Sequence, residues 1–256
     1  MISGVVLVKN NEKTLDKTLK SLEFLDDVVV FDNGSTDNSL QIASSYKNVN
    51  LIQGEFVGFG RTKNKAASYA KNDWILIIDS DEVVDSELRS ILQNKMLDEN
   101  CVYKLNFIAF YKEIQIKYCG WNNQKIKRLY NKKITHYNDN DVHEDIITQG
   151  LRTEILSGNI RHYSYSSIEQ FVQKANTYST LFAKNNAGKK HSSPAKAFLN
   201  AAYSFFKTYI FKKGFLDGYV GLIIAVSHAV TNFYKYIKLY ELNQEAKNEH
   251  THNQTR

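Results

Sequence analysis

Four apolar runs rich in β-branched residues, Val5-Val6-Leu7-Val8, Val28-Val29-Val30-Phe31, Leu51-Ile52 and Trp74-Ile75-Leu76-Ile77-Ile78, alternate with stretches of helical texture. Runs this uniformly apolar read as strands buried on both faces. Between them Leu15, Leu19, Leu22 and Leu25 recur at helix-face spacing and a second helix opens at Ser35-Thr36-Asp37. A third helix is predicted over 62–70, and a fourth follows Asp85 with Leu88, Ile91 and Leu92 on one side. Strand, helix, strand at this spacing means parallel β/α units, so residues 1–100 are predicted to form a doubly wound half-domain.

From 101 to 162 the texture changes to aromatic-rich strands, such as 103–110 and 127–130, mixed with loops; this α+β stretch completes the sheet and supplies an acceptor side. Helical pattern returns through Phe171, Ala175, Tyr178 and Phe182, then breaks at Ser192-Ser193-Pro194. The expected organisation is an α/β domain over 1–165, a helical region over 166–242 and a fraying polar tail over 243–256. At 256 residues, with 43% hydrophobic and 23% charged residues, the chain has room for one such domain plus an appendage, and disordered or collagen-like classes are excluded. Two cysteines, Cys101 and Cys119, make neither a disulfide framework nor a C-x-x-C zinc site, which fits a reducing cytoplasm. The opening residues have no basic region before the apolar run and read as a first strand, not a signal peptide.

The net charge of +6 is unevenly spread, because residues 184–240 hold nine lysines and one acid, Asp217. The same stretch holds 12 of the 32 Phe, Tyr and Trp residues. Lysines interleaved with aromatics suit an anionic membrane surface, where rings sit among headgroups and ammonium groups meet phosphates. A solvated face on a packed helical pair is the plainer alternative, and single-stranded nucleic acid ranks below both. The charge-free stretch 218–234 is shorter than the roughly 20 apolar residues of a spanning helix, which predicts an interfacial or buried helix.

Three constellations carry chemistry. Asp79-Ser80-Asp81-Glu82 directly follows the fourth apolar run. Acids crowded at a strand's carboxyl end repel one another unless a cation or raised pKa values relieve them, and Mg²⁺ or Mn²⁺ with a nucleotide diphosphate is the simpler relief. Asp32-Asn33-Gly34-Ser35-Thr36-Asp37 ends the second run: Gly34 permits a tight turn, Ser35 or Thr36 caps a helix, and Asp32, which the turn itself does not require, can accept the imide N–H of a uracil base. Val142-His143-Glu144-Asp145 offers a base for an attacking hydroxyl, with His143 and Glu144 pointing apart and so not sharing one role. Gly58-Phe59-Gly60 lacks the third glycine of a dinucleotide fingerprint, where Lys63 stands instead, and nicotinamide binding is excluded. Arg61, Lys63 and Lys65 can meet a diphosphate or base; a solvated lysine face is the equal alternative.

Taken in order, these residues resemble the family-2 glycosyltransferases of GT-A fold, in particular the branch of lipopolysaccharide core glucosyltransferases. The resemblance runs through Lys9-Asn10, 32–37, Gly58-Phe59-Gly60 with Lys63-Asn64, 79–82, Gly120-Trp121 with Arg128-Leu129-Tyr130, His143-Glu144, 162–165 and 214–218. It implies a UDP-sugar donor, Mg²⁺ or Mn²⁺ on Asp81 with Asp79, and inverting transfer of a hexose, glucose by that branch, to a core oligosaccharide or other lipid-linked glycan. Carried over by position, Asp32 reads uracil, Lys63 and Glu12 support the nucleotide, Asp79 holds the ribose or sugar, and Glu144 is the base, while Trp121, His143 and Arg128 face the acceptor. Asn11 stands where this branch often has an acid, and Ser80 replaces a usual alanine. A cytoplasmic enzyme, peripheral on the inner face of the membrane, follows, with no nucleic-acid partner. A nucleotidylyltransferase would want a Gly-rich loop where Lys9-Asn10-Asn11-Glu12 stands, and a non-catalytic sugar or membrane adaptor would have no need of Asp79, Asp81 and Glu144.

Overall fold

In the computed structural model, which describes residues 1–121, 124–140 and 144–254, the four apolar runs become β1 (Ile2–Val8), β2 (Asp27–Asp32), β3 (Val49–Gln53) and β4 (Trp74–Asp79). They pair in parallel in the order β3-β2-β1-β4. Alternate residues go to opposite faces. Val6, Val8, Val28, Val30, Leu76 and Ile78 join one core cluster with Leu15 and Leu19, and Val5, Val29, Phe31, Ile75 and Ile77 join another with Ala66 and Ala67. Both faces are covered by helix, which is why these strands lack a polar alternation.

The helices are α1 (Leu15–Ser21), α2 (Ser39–Ser44), α3 (Phe59–Ser68) and α4 (Ser86–Asn94). α1 is shorter than its leucine pattern predicts: Leu22 and Leu25 are buried, but in the turns that follow Ser21. α2 starts at Ser39, not Ser35, because Asp32 and Asp37 draw the intervening amides into turns. α4 is capped by Asp85, whose Oδ1 accepts from Leu88 N–H at 2.8 Å.

After β5 (Glu82–Val84), the sheet continues with β6 (Cys101–Tyr111), β7 (Ile114–Gln115), β8 (Gln124–Asn131) and β9 (Arg152–Tyr165), giving the order β3-β2-β1-β4-β8-β6-β9-β5 with β7 on β6. β8 is antiparallel to β4 and to β6, and β5 is antiparallel to β9. The result is a mixed sheet with a parallel half.

The chain divides into two units, Met1–Ile108 with Asn123–Tyr163 and Ala109–Asn122 with Ser164–Arg256. Residues 109–122 thus go with the helical unit. That unit contains α5 (Ile168–Asn186), α6 (Pro194–Phe206) and α7 (Gly218–Gln254). Its core joins Ala109, Tyr111, Ile116, Cys119, Phe171, Val220 and Ile224. Ser193 caps α6 and Pro194 occupies its first turn, where its missing N–H has no cost. α7 departs from expectation twice. The helix continues through 243–254, where Gln, Glu, Ala and Lys favour it, with Asn243 tied to Gly188 N–H and Lys190 O. Among the described residues, the helical stretch 214–246 is also long and apolar enough to cross a membrane, since Phe215 and Leu216 extend the apolar run ahead of Gly218.

Candidate active site

Strand register brings two acids to one edge of the sheet. Val8 is paired with Asp32 and Leu7 with Asp79, so both carboxylates stand at the carboxyl ends of strands flanking β1, where open α/β sheets take ligands. The two sites differ in what holds the side chain.

Asp32 is buried, with its carboxylate oxygens within 3.0–3.2 Å of the N–H groups of Gly34 and Ser35. The turn therefore does use this side chain, contrary to the reading that it had no need of it. A carboxylate has about four acceptor sites, so room for a further donor remains. Gly34 takes φ 85°, as the turn needs. The loops after β1 and β2 are laced together. Asn10 Oδ1 accepts from Thr36 N–H at 2.7 Å, and Glu12 Oε2 accepts from the N–H and Nδ2 of Asn38 at 3.1 and 2.8 Å. Glu12 shapes this junction, which is a structural task distinct from the nucleotide contact expected of it.

The turn Asp79-Ser80-Asp81 joins β4 to β5 and is gripped from both sides. Ser80 O accepts from Thr18 Oγ1 at 3.0 Å, and Ser80 Oγ accepts from Asn11 Nδ2 at 2.8 Å. Below it, Arg128 Nη2 donates to Asp79 Oδ2 at 2.7 Å and to Glu82 Oε1 at 2.8 Å, while Glu82 Oε2 accepts from Asp79 N–H. Arg128 and Glu82 are buried. Burial pushes the Glu82 carboxyl up; at Asp79 burial acts the same way but is outweighed by the Arg128 guanidinium and then Lys63, which hold it below the usual carboxylate range. Arg128, expected to face the acceptor, is the buried counter-ion of the acidic turn, bridging Asp79 and Glu82.

Asp81 has a partner that sequence reasoning missed. β5 pairs Glu82 with His162 on β9, and this register sets His162 Nε2 3.4 Å from Asp81 Oδ2, both side chains about one-third exposed. Burial opposes the charged ring, but the hydrogen bond and charge of Asp81 raise the His162 pKa above its ordinary value. In the sequence His162 stands within 162–165, one of the stretches that carry the resemblance, but nothing there links it to Asp81. Among the described residues no group of three or more His, Cys, Asp and Glu forms a closed metal cage. One carboxylate beside one imidazole fits instead an ion such as Mg²⁺ or Mn²⁺ that completes its shell with diphosphate oxygens and water.

Glu144 is reached from α3. Lys63 Nζ, on a side chain 5% exposed, donates to Glu144 Oε1 at 2.7 Å and lies 5.0 Å from the centre of the Tyr137 ring. Asn64 bonds both the N–H and the C=O of Tyr137, and Asn138 N–H donates to Asp145 O, which ties Asp145, the neighbour of Glu144, to the segment that α3 holds. Gly58-Phe59-Gly60 acquires a use here. Gly58 caps α3 at φ 100°, and a Cβ on Gly60 would collide with the Asn138 carbonyl, so glycine lets helix and loop close up. Lys63 orients Glu144 with one of its three N–H donors, so the ion pair does not by itself exclude the nucleotide contact expected of it. Asp145 is paired with Lys127 at 2.7 Å. His143 lies outside the described residues. Trp121 belongs to the second unit, where its ring stacks on Tyr165 and Phe171 at 5.4 and 6.3 Å beside His228. Trp121, expected to meet the acceptor, is half-buried against these rings.

Residues 3–158 match Glycosyl transferase family 2. An uncharacterized glycosyltransferase of Rickettsia typhi is 30% identical over 96% of this chain and 89% of its own length. The lipopolysaccharide core biosynthesis glycosyltransferase LpsC of Rhizobium meliloti is 24% identical over 94% of this chain and 92% of its own. Among solved structures, S. aureus TarS 1–349 in complex with UDP-GlcNAc aligns with 97% of this chain and 92% of its own at 17% identity and a TM-score of 0.47. With a strand-end acidic turn on a mixed α/β sheet and a family match over more than half its length, the chain belongs to glycosyl transferase family 2 and has the GT-A fold.

Proposed function

We propose that this glycosyltransferase moves a hexose, glucose by the resemblance noted above, from a UDP-sugar to a lipopolysaccharide-core or similar lipid-linked glycan, with inversion, on the cytoplasmic face of the membrane. The observation that carries the proposal is the division of labour between two carboxylates of the first unit: Asp81 stands beside His162 at the strand end, and Glu144 is held through one oxygen by Lys63. Asp81 and His162 would hold a divalent ion, in place of the Asp79–Asp81 pair, since Asp79 is committed to Arg128. When bound, that ion supplies charge to offset the charge growing on the departing diphosphate. Glu144 Oε2 would take the acceptor proton while the acceptor oxygen bonds to the anomeric carbon and the bond to the diphosphate breaks. One displacement inverts the centre and needs no covalent enzyme intermediate. The name of the Rhizobium relative supports the acceptor class, and the lysine-rich second unit supports work at an anionic membrane surface.

The test is incubation with UDP-glucose and a core-truncated lipooligosaccharide. UDP release and an acceptor heavier by one hexose are expected. Pyrophosphate release from a nucleoside triphosphate and a sugar phosphate, without transfer from any UDP-hexose, would identify a nucleotidylyltransferase instead.

A further inference from the structure

The residues between α6 and α7 take no part in the transfer chemistry, and the second unit presents them in an unusual way. α6 runs into a π-helical turn, Lys207–Phe211, then Lys213 takes a left-handed φ of 55°, and a 3-10 turn, Gly214–Asp217, leads into α7. This connection is fixed within its unit. Asp217 accepts from the N–H groups of Lys117 and Tyr118 at 3.0 and 2.8 Å, and Cys119 N–H donates to Lys212 O at 3.1 Å. A Cβ on Gly214 would press on Thr208 O and Cys119 Sγ at 2.8 and 2.9 Å, so only glycine lets the turn pack this closely. On so firmly held a turn, Phe206, Ile210, Phe211, Phe215, Leu216 and Tyr219 are all exposed, Phe211 by 73%. Large apolar side chains grouped on a rigid surface mark an interaction site.

Charge identifies the occupant. Lys207, Lys212 and Lys213 are exposed among these rings, and the one acid of the stretch, Asp217, is spent on two backbone amides. Acyl chains can take the apolar groups while anionic headgroups take the ammonium groups. A second copy of the same surface would set lysine against lysine. α7 has the length to span a bilayer, but its polar side chains are bonded inside the unit: Asn232 Nδ2 donates to Ser204 Oγ at 2.9 Å, Thr208 Oγ1 and His228 Nδ1 share a hydrogen bond of 3.0 Å, and Lys238 Nζ meets Ser179 and Thr180. Crossing would break these contacts in hydrocarbon.

We propose that the α6–α7 turn inserts its exposed rings into the acyl boundary of an anionic bilayer, making this a monotopic protein held by apolar burial as well as by charge. The inference rests on the membrane-surface reading above and deepens it by naming the inserted segment.

Flotation of the full chain with phosphatidylcholine vesicles containing phosphatidylglycerol, at low and at molar salt, tests it. At molar salt the Debye length is about 3 Å, so surface attraction is screened and apolar insertion is not. Binding should persist at molar salt. Phe211→Ser combined with Phe215→Ser and Leu216→Ser should lower salt-resistant binding more than about tenfold, while low-salt binding through the lysines remains. Exchange of Lys207, Lys212 and Lys213 for Gln should weaken low-salt binding and spare part of the salt-resistant fraction. Wild-type binding that washes off completely at molar salt overturns insertion and leaves surface attraction standing. Absence of binding at every salt overturns both, and a stable dimer in solution that ignores vesicles assigns the surface to a second copy.

Discussion

Asn11 Nδ2 donates to Ser80 Oγ at 2.8 Å, tying the loop after β1 to the residue between the two aspartates of the strand-end turn. These are the two positions at which the sequence departs from the pattern it otherwise resembles, and they meet in space. An alanine at 80 would leave the Asn11 amide without this acceptor, so the two departures amount to one coupled change. Asn11 N–H also donates to Ser39 Oγ at 2.9 Å, which makes Asn11 a junction of the loops after β1, β2 and β4.

Asn11→Ala and Ser80→Ala should therefore each cost about 0.5–1.5 kcal/mol, and the double variant should cost less than their sum by about 0.5–1 kcal/mol. Denaturant unfolding of the four proteins measures this coupling. Strictly additive losses would mean that the bond contributes nothing to stability.

The Lys63–Glu144 pair predicts a split between chemistry and stability. Glu144→Gln should lower turnover by about 10²-fold or more with UDP affinity little changed, since it removes the base and keeps the shape. Lys63→Met leaves Glu144 without its buried counter-ion and should cost stability as well, about 1–3 kcal/mol given that Glu144 is partly exposed. Near-normal turnover in Glu144→Gln would move the base elsewhere.

His228 gives the second unit an acid-sensitive element. Burial first, then Lys212 and Lys235, depress its pKa from the ordinary 6.5 to about 4. The folded unit thus keeps the ring neutral where the unfolded chain already binds a proton, so stability is full above pH 6.5 and falls as the pH drops from 6.5 towards 4. At 1.36 kcal/mol per pKa unit, the loss approaches roughly 3 kcal/mol. Melting temperatures across this range should fall less steeply for His228→Gln than for the native chain. Parallel curves would assign the acid loss to other groups.

Most of the parallel half of the fold was legible because β1, β2 and β4 are buried on both faces and so announce themselves as uninterrupted apolar runs, with Asp32 and Asp79 marking the carboxyl ends of β2 and β4. Chain-distant pairings were not legible. Arg128 reaches Asp79 only through the antiparallel pairing of β8 with β4, and His162 reaches Asp81 only through β5 and β9. Local texture around either residue looks like an ordinary polar strand position. Glu144 was named from its loop, but its lysine partner and the role of Gly60 depend on how α3 meets that loop. The stacking of Trp121 on Tyr165 and Phe171 was likewise hidden, because those rings lie more than forty residues further along the chain.

Asp81 and His162 are expected to act with a metal ion at the strand end. Isothermal titration of UDP into the native chain, Asp81→Asn and His162→Gln, each with Mn²⁺ and with a chelator, addresses this directly. The native chain should bind UDP at least about tenfold more tightly with Mn²⁺ than with chelator, and both variants should lose that difference while unfolding as cooperatively as the native chain. Equal UDP affinity with and without metal in the native chain, or an unchanged metal effect in Asp81→Asn, would contradict it.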